Sequence, residues 1–157
     1  MENDNNKLLK VCEVKLSYRP AVKPSERPVI KASMDIFRVL TDYRIFDPDT
    51  IEYKEYFKVL LLNTGNKLLG VLHISEGSIK ETTVDIQHIM QGAILANSRY
   101  MILCHNHPSG NCAPSRADDS ITRKIKTACE LFDIKVIDHV IVSPNYYYSY
   151  ADEGHII

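Results

Sequence analysis

Between residues 100 and 142 the chain reads as strand, loop, helix, strand, and that order constrains the fold more than any other feature. Tyr100 to Cys104 is a short apolar run of strand length. His105 to Pro114 is polar and holds Pro108, Gly110 and Pro114, so the chain must turn there. Ser115 then opens a helix whose apolar residues Ile121, Ile125, Ala128 and Phe132 are spaced 4, 3 and 4 apart, which is helical periodicity. Lys135 to Val142 is again a strand. A crossover of this kind packs a helix on a sheet.

The remaining elements extend the same architecture. Residues 55–63 and 68–75 are apolar runs joined by Thr64-Gly65-Asn66-Lys67, a hairpin signal. Ser33 is placed to cap a first helix with Ile36, Phe37, Leu40 and Tyr43 on one face. Asp47-Pro48-Asp49 ends it. Asp85 caps a second helix with Ile86, Ile89, Ala93 and Ala96 on its apolar face. Ser143-Pro144-Asn145 turns the chain so that Tyr146 to Tyr150 pairs back as a last strand, packing its tyrosines on the sheet. Near the N-terminus, Val11, Val14 and Leu16 suggest an edge strand over residues 10–18, and Pro20, Pro24 and Pro28 an extended segment. The expected fold is therefore α/β, a mixed sheet flanked by helices, with an extended N-terminal arm over 1–31 and one domain over 32–157.

Composition excludes several classes. Apolar residues are 45% and charged residues 25% of 157, a globular balance that leaves no room for a disordered, collagen-like or coiled-coil chain. Lys and Arg number 19 against 20 Asp and Glu, so the basic excess of a dedicated nucleic-acid binder is missing and strong nucleic-acid binding is not expected. Residues 1–31 hold seven basic and four acidic residues, the balance of an ordinary solvated surface. Apolar stretches such as Val59-Leu60-Leu61-Leu62 are far short of the roughly 20 residues of a membrane span. Met1 to Lys7 is polar and has no apolar h-region. A cytoplasmic protein is expected. Its cysteines, Cys12, Cys104, Cys112 and Cys129, form no C-x-x-C pair and read as free thiols.

The chemistry gathers at the end of the strand that starts at Tyr100. His105 and His107 are two apart, so at a strand end both imidazoles point to one face. Asp118 lies on the first turn of the following helix, where the crossover returns it over that strand end. Two imidazoles and a carboxylate make a three-ligand zinc set with the fourth position open to water. Such a site needs a general base that is not a ligand. Ser115 is placed to donate to an oxyanion, and Ser115-Arg116-Ala117-Asp118 also fits a capping box. Other readings fail on spacing. The deaminase pattern and H-E-x-x-H are absent, and His105-Asn106-His107 is contiguous where HNH nucleases scatter those residues.

The spacing H-x-H-x(7)-S-x(2)-D, met by His105, His107, Ser115 and Asp118, is the JAMM signature of the JAB/MPN metalloproteases. His105-Asn106-His107-Pro108-Ser109-Gly110 with Pro114 and Ser115, the strand Glu55 to Asn63, and Asp138-His139-Val140-Ile141-Val142 resemble the RadC family more closely, over roughly residues 27–154. The resemblance implies a JAB/MPN (cytidine-deaminase-like) fold, zinc held by His105, His107 and Asp118, Glu55 as general acid/base and Ser115 polarising the tetrahedral intermediate. Glu52 is the nearby rival of Glu55, which heads an apolar run where a strand would hold it rigidly. The implied activity is zinc-dependent hydrolysis of peptide or isopeptide bonds in a polypeptide substrate, and the alternative is a nucleic-acid-associated DNA repair factor using the same metal. Full-length RadC-type proteins usually carry an N-terminal helix-hairpin-helix region, which is not expected in the roughly 50 residues before Glu55. His139 and Cys104 read as packed strand residues, and Cys112 as a loop residue within reach of the metal only as a minor alternative.

Overall fold

The computed structural model describes residues 14, 15, 17–78 and 83–155. Most of the edge strand expected over 10–18 lies outside them, and residues 14, 15, 17 and 18 form no strand. The described elements are α1 (Ser33–Asp42), β1 (Lys54–Leu62), β2 (Leu68–Ser78), α2 (Ile86–Leu95), β3 (Tyr100–Asn106), α3 (Arg116–Glu130), β4 (Lys135–Val142) and β5 (Tyr147–Ser149), with a short 3-10 turn at Pro24–Glu26. The strands form one sheet in the order β2-β1-β3-β4-β5. β1 runs antiparallel to β2 and β3, β3 and β4 are parallel, and β5 returns antiparallel to β4. The sheet is therefore mixed, and β3-α3-β4 is its crossover unit.

Alternation along the strands divides the core in two. Tyr56, Leu60, Leu62, Ile102 and Cys104 face α1, where they meet Ile36, Val39 and Leu40. Phe57, Val59, Leu61, Met101 and Leu103 face α2 and α3, against Ile89, Ala93, Ile125 and Cys129. Gly92 lets α2 close onto β2, because a Cβ there would stand 2.5 Å from Leu72. Lys58 interrupts the α1 face. Its ammonium donates to the Ile45 carbonyl and lies 5.2 and 5.1 Å from the ring centres of Phe46 and Tyr56, so the buried charge keeps a partner and two aromatic faces.

Caps and ends differ from the sequence expectation in detail. Asp85 caps α2, accepting from the His88 N–H at 3.1 Å. Ser33, expected as a cap, is the first residue of α1. Ala32 holds the cap position, and the Asp35 carboxylate takes the Lys31 and Ala32 N–H groups. Tyr43 and Phe132, expected on apolar faces, follow the last helical turns and are 63% and 51% exposed. β3 extends two residues past Cys104, which places His105 and Asn106 in the strand and not in the loop. Tyr147 stacks on Phe37 at 5.0 Å and Tyr150 is fully buried. Tyr146 precedes β5 and is exposed, so it does not pack on the sheet as expected.

The N-terminal segment is anchored to the hairpin. The Leu68 N–H donates to the Pro28 carbonyl and the Ile30 N–H to the Asn66 carbonyl, both at 2.9 Å. At the other end, the buried Asp138 carboxylate accepts from the Ser149 hydroxyl at 2.7 Å and the Ala151 N–H at 3.0 Å, tying the chain after β5 to β4.

Candidate metal centre

β3, the loop after it and the first turn of α3 meet at one point. His105 is the penultimate residue of β3, 1% exposed, and His107 lies one residue past the strand on the same face. Gly110 takes the left-handed φ of +76° that turns the loop back toward α3. α3 begins with a capping box. The Ser115 hydroxyl oxygen accepts the Asp118 N–H at 3.2 Å, and the Asp118 carboxylate accepts the Ser115 N–H at 2.7 Å. That pair holds the buried Asp118 over the strand end. His105 Nε2 lies 3.1 Å from Asp118 Oδ1, His107 Nε2 3.3 Å from Asp118 Oδ2, and the two Nε2 atoms 3.0 Å apart.

The donor set fits a cation. The Asn111 carbonyl can only accept, so the His107 Nδ1–H donates to it at 2.7 Å and the lone pair of His107 is at Nε2. That lone pair faces a second imidazole nitrogen and two carboxylate oxygens, within a cluster whose ligand atoms all lie within 4.8 Å of one another. Burial pushes the Asp118 carboxyl up, but the bonds that His105 and His107 give it whenever their Nε2 atoms carry a proton, together with the bond from Ser115, outweigh it and hold the group well below the ordinary range. The bond to Asp118, opposed by burial and aided by the Asn111 carbonyl and the charge of Glu55, raises the His107 pKa. Converging lone pairs beside a carboxylate are the ligand pattern of a divalent metal with an open position.

Glu55 lies in β1, antiparallel to β3, two residues before Phe57, which pairs with His105. It shares the face of Phe57 and is half-buried, near enough for its charge to act on His107. Glu52 lies in the exposed turn before β1. Between the two histidines, Asn106 points to the opposite face. Its Oδ1 accepts the Tyr56 N–H, and its Nδ2 donates to the carbonyls of Ile51 at 2.8 Å and Lys54 at 2.7 Å.

Two further residues join the site without having been read as part of it. His139 on β4 is fully buried, with Nε2 2.7 Å from His105 Nδ1 and Nδ1 2.6 Å from the Thr122 hydroxyl. Thr122 is on α3, one turn after Asp118. Its place in the apolar strand Asp138-His139-Val140-Ile141-Val142 was the sequence signal, and the reading of His139 as a packed strand residue holds but omits its bonds. Cys104 is fully buried on the α1 face. Cys112 packs against Ile141 and Tyr150, its thiol directed at the Gly110 and Tyr146 carbonyls, outside the ligand cluster.

The chain is similar in sequence to known proteins. Residues 30–155 match the RadC-like JAB domain family. A UPF0758 protein of Flavobacterium johnsoniae is 46% identical over 100 residues, 64% of this chain and 44% of the relative. One from Desulfitobacterium hafniense is 38% identical over 132 residues, 83% of this chain and 56% of the relative. One from an Acidovorax species is 32% identical over 147 residues, 83% of this chain and 62% of the relative. The chain thus spans about half the length of the curated relatives it matches.

Proposed function

The chain belongs to the RadC-like JAB domain family, and from that premise we propose that it is a zinc-dependent hydrolase that cleaves peptide or isopeptide bonds. The observation that carries this reading is the convergence of two imidazole nitrogens and the Asp118 carboxylate at the end of β3, with a non-ligand carboxylate, Glu55, on the neighbouring strand. His105, His107 and Asp118 would hold the ion, which when bound brings a water's pKa toward neutrality and polarises a carbonyl.

The chain's own residues supply the rest. Glu55 takes a proton from the attacking water and hands it to the leaving amine, so one carboxylate serves as base and then acid. The Ser115 oxygen already accepts the Asp118 N–H, which leaves the hydroxyl hydrogen to donate to the oxyanion of the tetrahedral intermediate. His105 is closed off while His107 is partly exposed, so substrate enters from the His107 side. A net charge of −1 favours a polypeptide over a phosphate backbone as the occupant. An extended peptide also needs only a few backbone hydrogen bonds to present one carbonyl.

The test is to incubate the full chain, reconstituted with zinc, with a random peptide library and with lysine-isopeptide-linked peptides, and to read new amino groups by mass spectrometry. Cleavage is expected, abolished by a chelator, restored by zinc, and reduced about 10²–10⁴-fold in Glu55→Gln. Intact libraries with the zinc-loaded wild type, or cleavage indifferent to Glu55→Gln, would overturn the reading.

A further inference from the structure

We propose that His139 and Thr122 are positioning residues that dictate which nitrogen of His105 is presented to the metal, and so set the metal affinity of the centre. The inference deepens the metal reading above and rests on it.

The direction of every hydrogen bond in the chain follows from one end. The Asp118 carbonyl has no proton, so the Thr122 hydroxyl donates to it, at 2.6 Å. A hydroxyl has one hydrogen, so the contact at 2.6 Å between Thr122 Oγ1 and His139 Nδ1 is a bond from His139 Nδ1–H to the threonine oxygen. The other nitrogen of His139, Nε2, then carries the lone pair. It accepts from His105 Nδ1–H at 2.7 Å. His105 Nε2 is left as the basic nitrogen, and it is the atom that faces His107 Nε2 and Asp118 Oδ1.

The relay is dry. It starts at the backbone of Asp118, runs through Thr122 and His139, and ends at the His105 lone pair beside the Asp118 carboxylate. Thr122 and His139 are fully buried and His105 nearly so, so water does not substitute for a lost partner. The His139 ring is held in its plane by stacking on Tyr150 at 4.8 Å and by the edge contact of Phe57 at 5.9 Å. Without this relay His105 is free to protonate Nε2, the tautomer that cannot bind a metal there. His107 has its own lock in the Asn111 carbonyl, so the two ligands are oriented independently.

The experiment measures zinc affinity of the full chain by competition with a chromophoric chelator, for wild type, His139→Phe, His139→Gln and Thr122→Val. His139→Phe keeps a ring but removes the acceptor, and zinc affinity should fall about 10–100-fold. Thr122→Val keeps the shape, touches no ligand side chain and should weaken zinc in the same direction by a smaller factor. His139→Gln offers a carbonyl acceptor to His105 Nδ1–H and should recover part of the loss. Nitrogen-15 NMR of the zinc-free wild type, well above the ordinary histidine pKa, should show the His105 proton on Nδ1, and Thr122→Val should mix the two tautomers. Zinc affinity within about twofold of wild type in folded His139→Phe and Thr122→Val, or a wild-type proton on His105 Nε2, overturns the relay. If His139→Phe does not fold, Thr122→Val and the tautomer decide. A wild type that binds no zinc overturns the metal centre itself.

Discussion

Asn106 Oδ1 accepts the backbone N–H of Tyr56 at 2.8 Å, a bond that joins the strand of His105 to the strand of Glu55. With both amide hydrogens given to Ile51 and Lys54, one side chain grips the chain on either side of Glu55. His105 and His107 flank that side chain in turn. The placement of Glu55 relative to the two histidines is thereby tied to one buried amide.

Replacing Asn106 with Ala should therefore destabilise the fold and loosen Glu55 together. It strands a buried N–H and two carbonyls, each worth about 1–3 kcal/mol when left without a partner. Asn106→Asp can still accept from Tyr56 but cannot donate, and should be nearly as damaging. Urea unfolding measures this, and a loss below about 0.5 kcal/mol for Asn106→Ala, the range of a surface change, would contradict the clamp.

Zinc affinity should rise with pH through a midpoint above the ordinary histidine value of 6.5, because the bond to Asp118 raises the His107 pKa. The metal must displace that proton. Asp118 adds nothing to the pH dependence near neutrality, its carboxyl being held well below the usual carboxylate range. The check is a series of chelator competitions across pH, and a midpoint below 6.5 would contradict the geometry.

Glu55→Gln and Glu52→Gln should separate cleanly. Both should keep zinc, since neither residue belongs to the ligand cluster. Only Glu55→Gln should slow hydrolysis, by about 10²–10⁴-fold. Equal rates for Glu55→Gln and wild type, with Glu52→Gln inactive, would move the base to the turn before β1.

Ser115→Ala removes a helix cap and the proposed oxyanion donor at once. Loss of the cap should lower stability by about 0.5–2 kcal/mol, and loss of the donor should lower kcat by about 10²–10³-fold. Ser115→Gly should keep most of the stability and lose the rate. Zinc should be retained in both, because the Ser115 backbone N–H still holds Asp118. A Ser115→Ala enzyme with unchanged kcat would leave Ser115 as a cap alone.

Duplex DNA should bind only weakly at about 150 mM salt, where the screening length is near 8 Å. Each phosphate contact adds about −0.9 to the log–log salt slope, and the net charge of −1 supplies few such contacts. A fluorescence titration showing sub-micromolar affinity would favour the nucleic-acid reading of the same site.

What could be read from residue order alone was local. Ile121, Ile125 and Ala128 announce a helix because 3.6-residue periodicity is a property of the segment itself, although periodicity does not mark where a helix stops, and Tyr43 and Phe132 fell outside. His105, His107 and Asp118 were legible as a set for the same reason. A strand end puts i and i+2 on one face, a capping box puts Asp118 at a known place on its helix, and a short loop joins the two. The bonds of His139 to His105, and of Asn106 to Tyr56, Ile51 and Lys54, were not legible. They span 34 residues for the histidines and at least 50 for the amide, and they exist only because β3 lies between β1 and β4 in a particular register. Strand order and register are set by how the whole core packs. The sequence by itself therefore determined which side chains gather at the end of β3, and the tertiary structure decided which buried partners hold them in place.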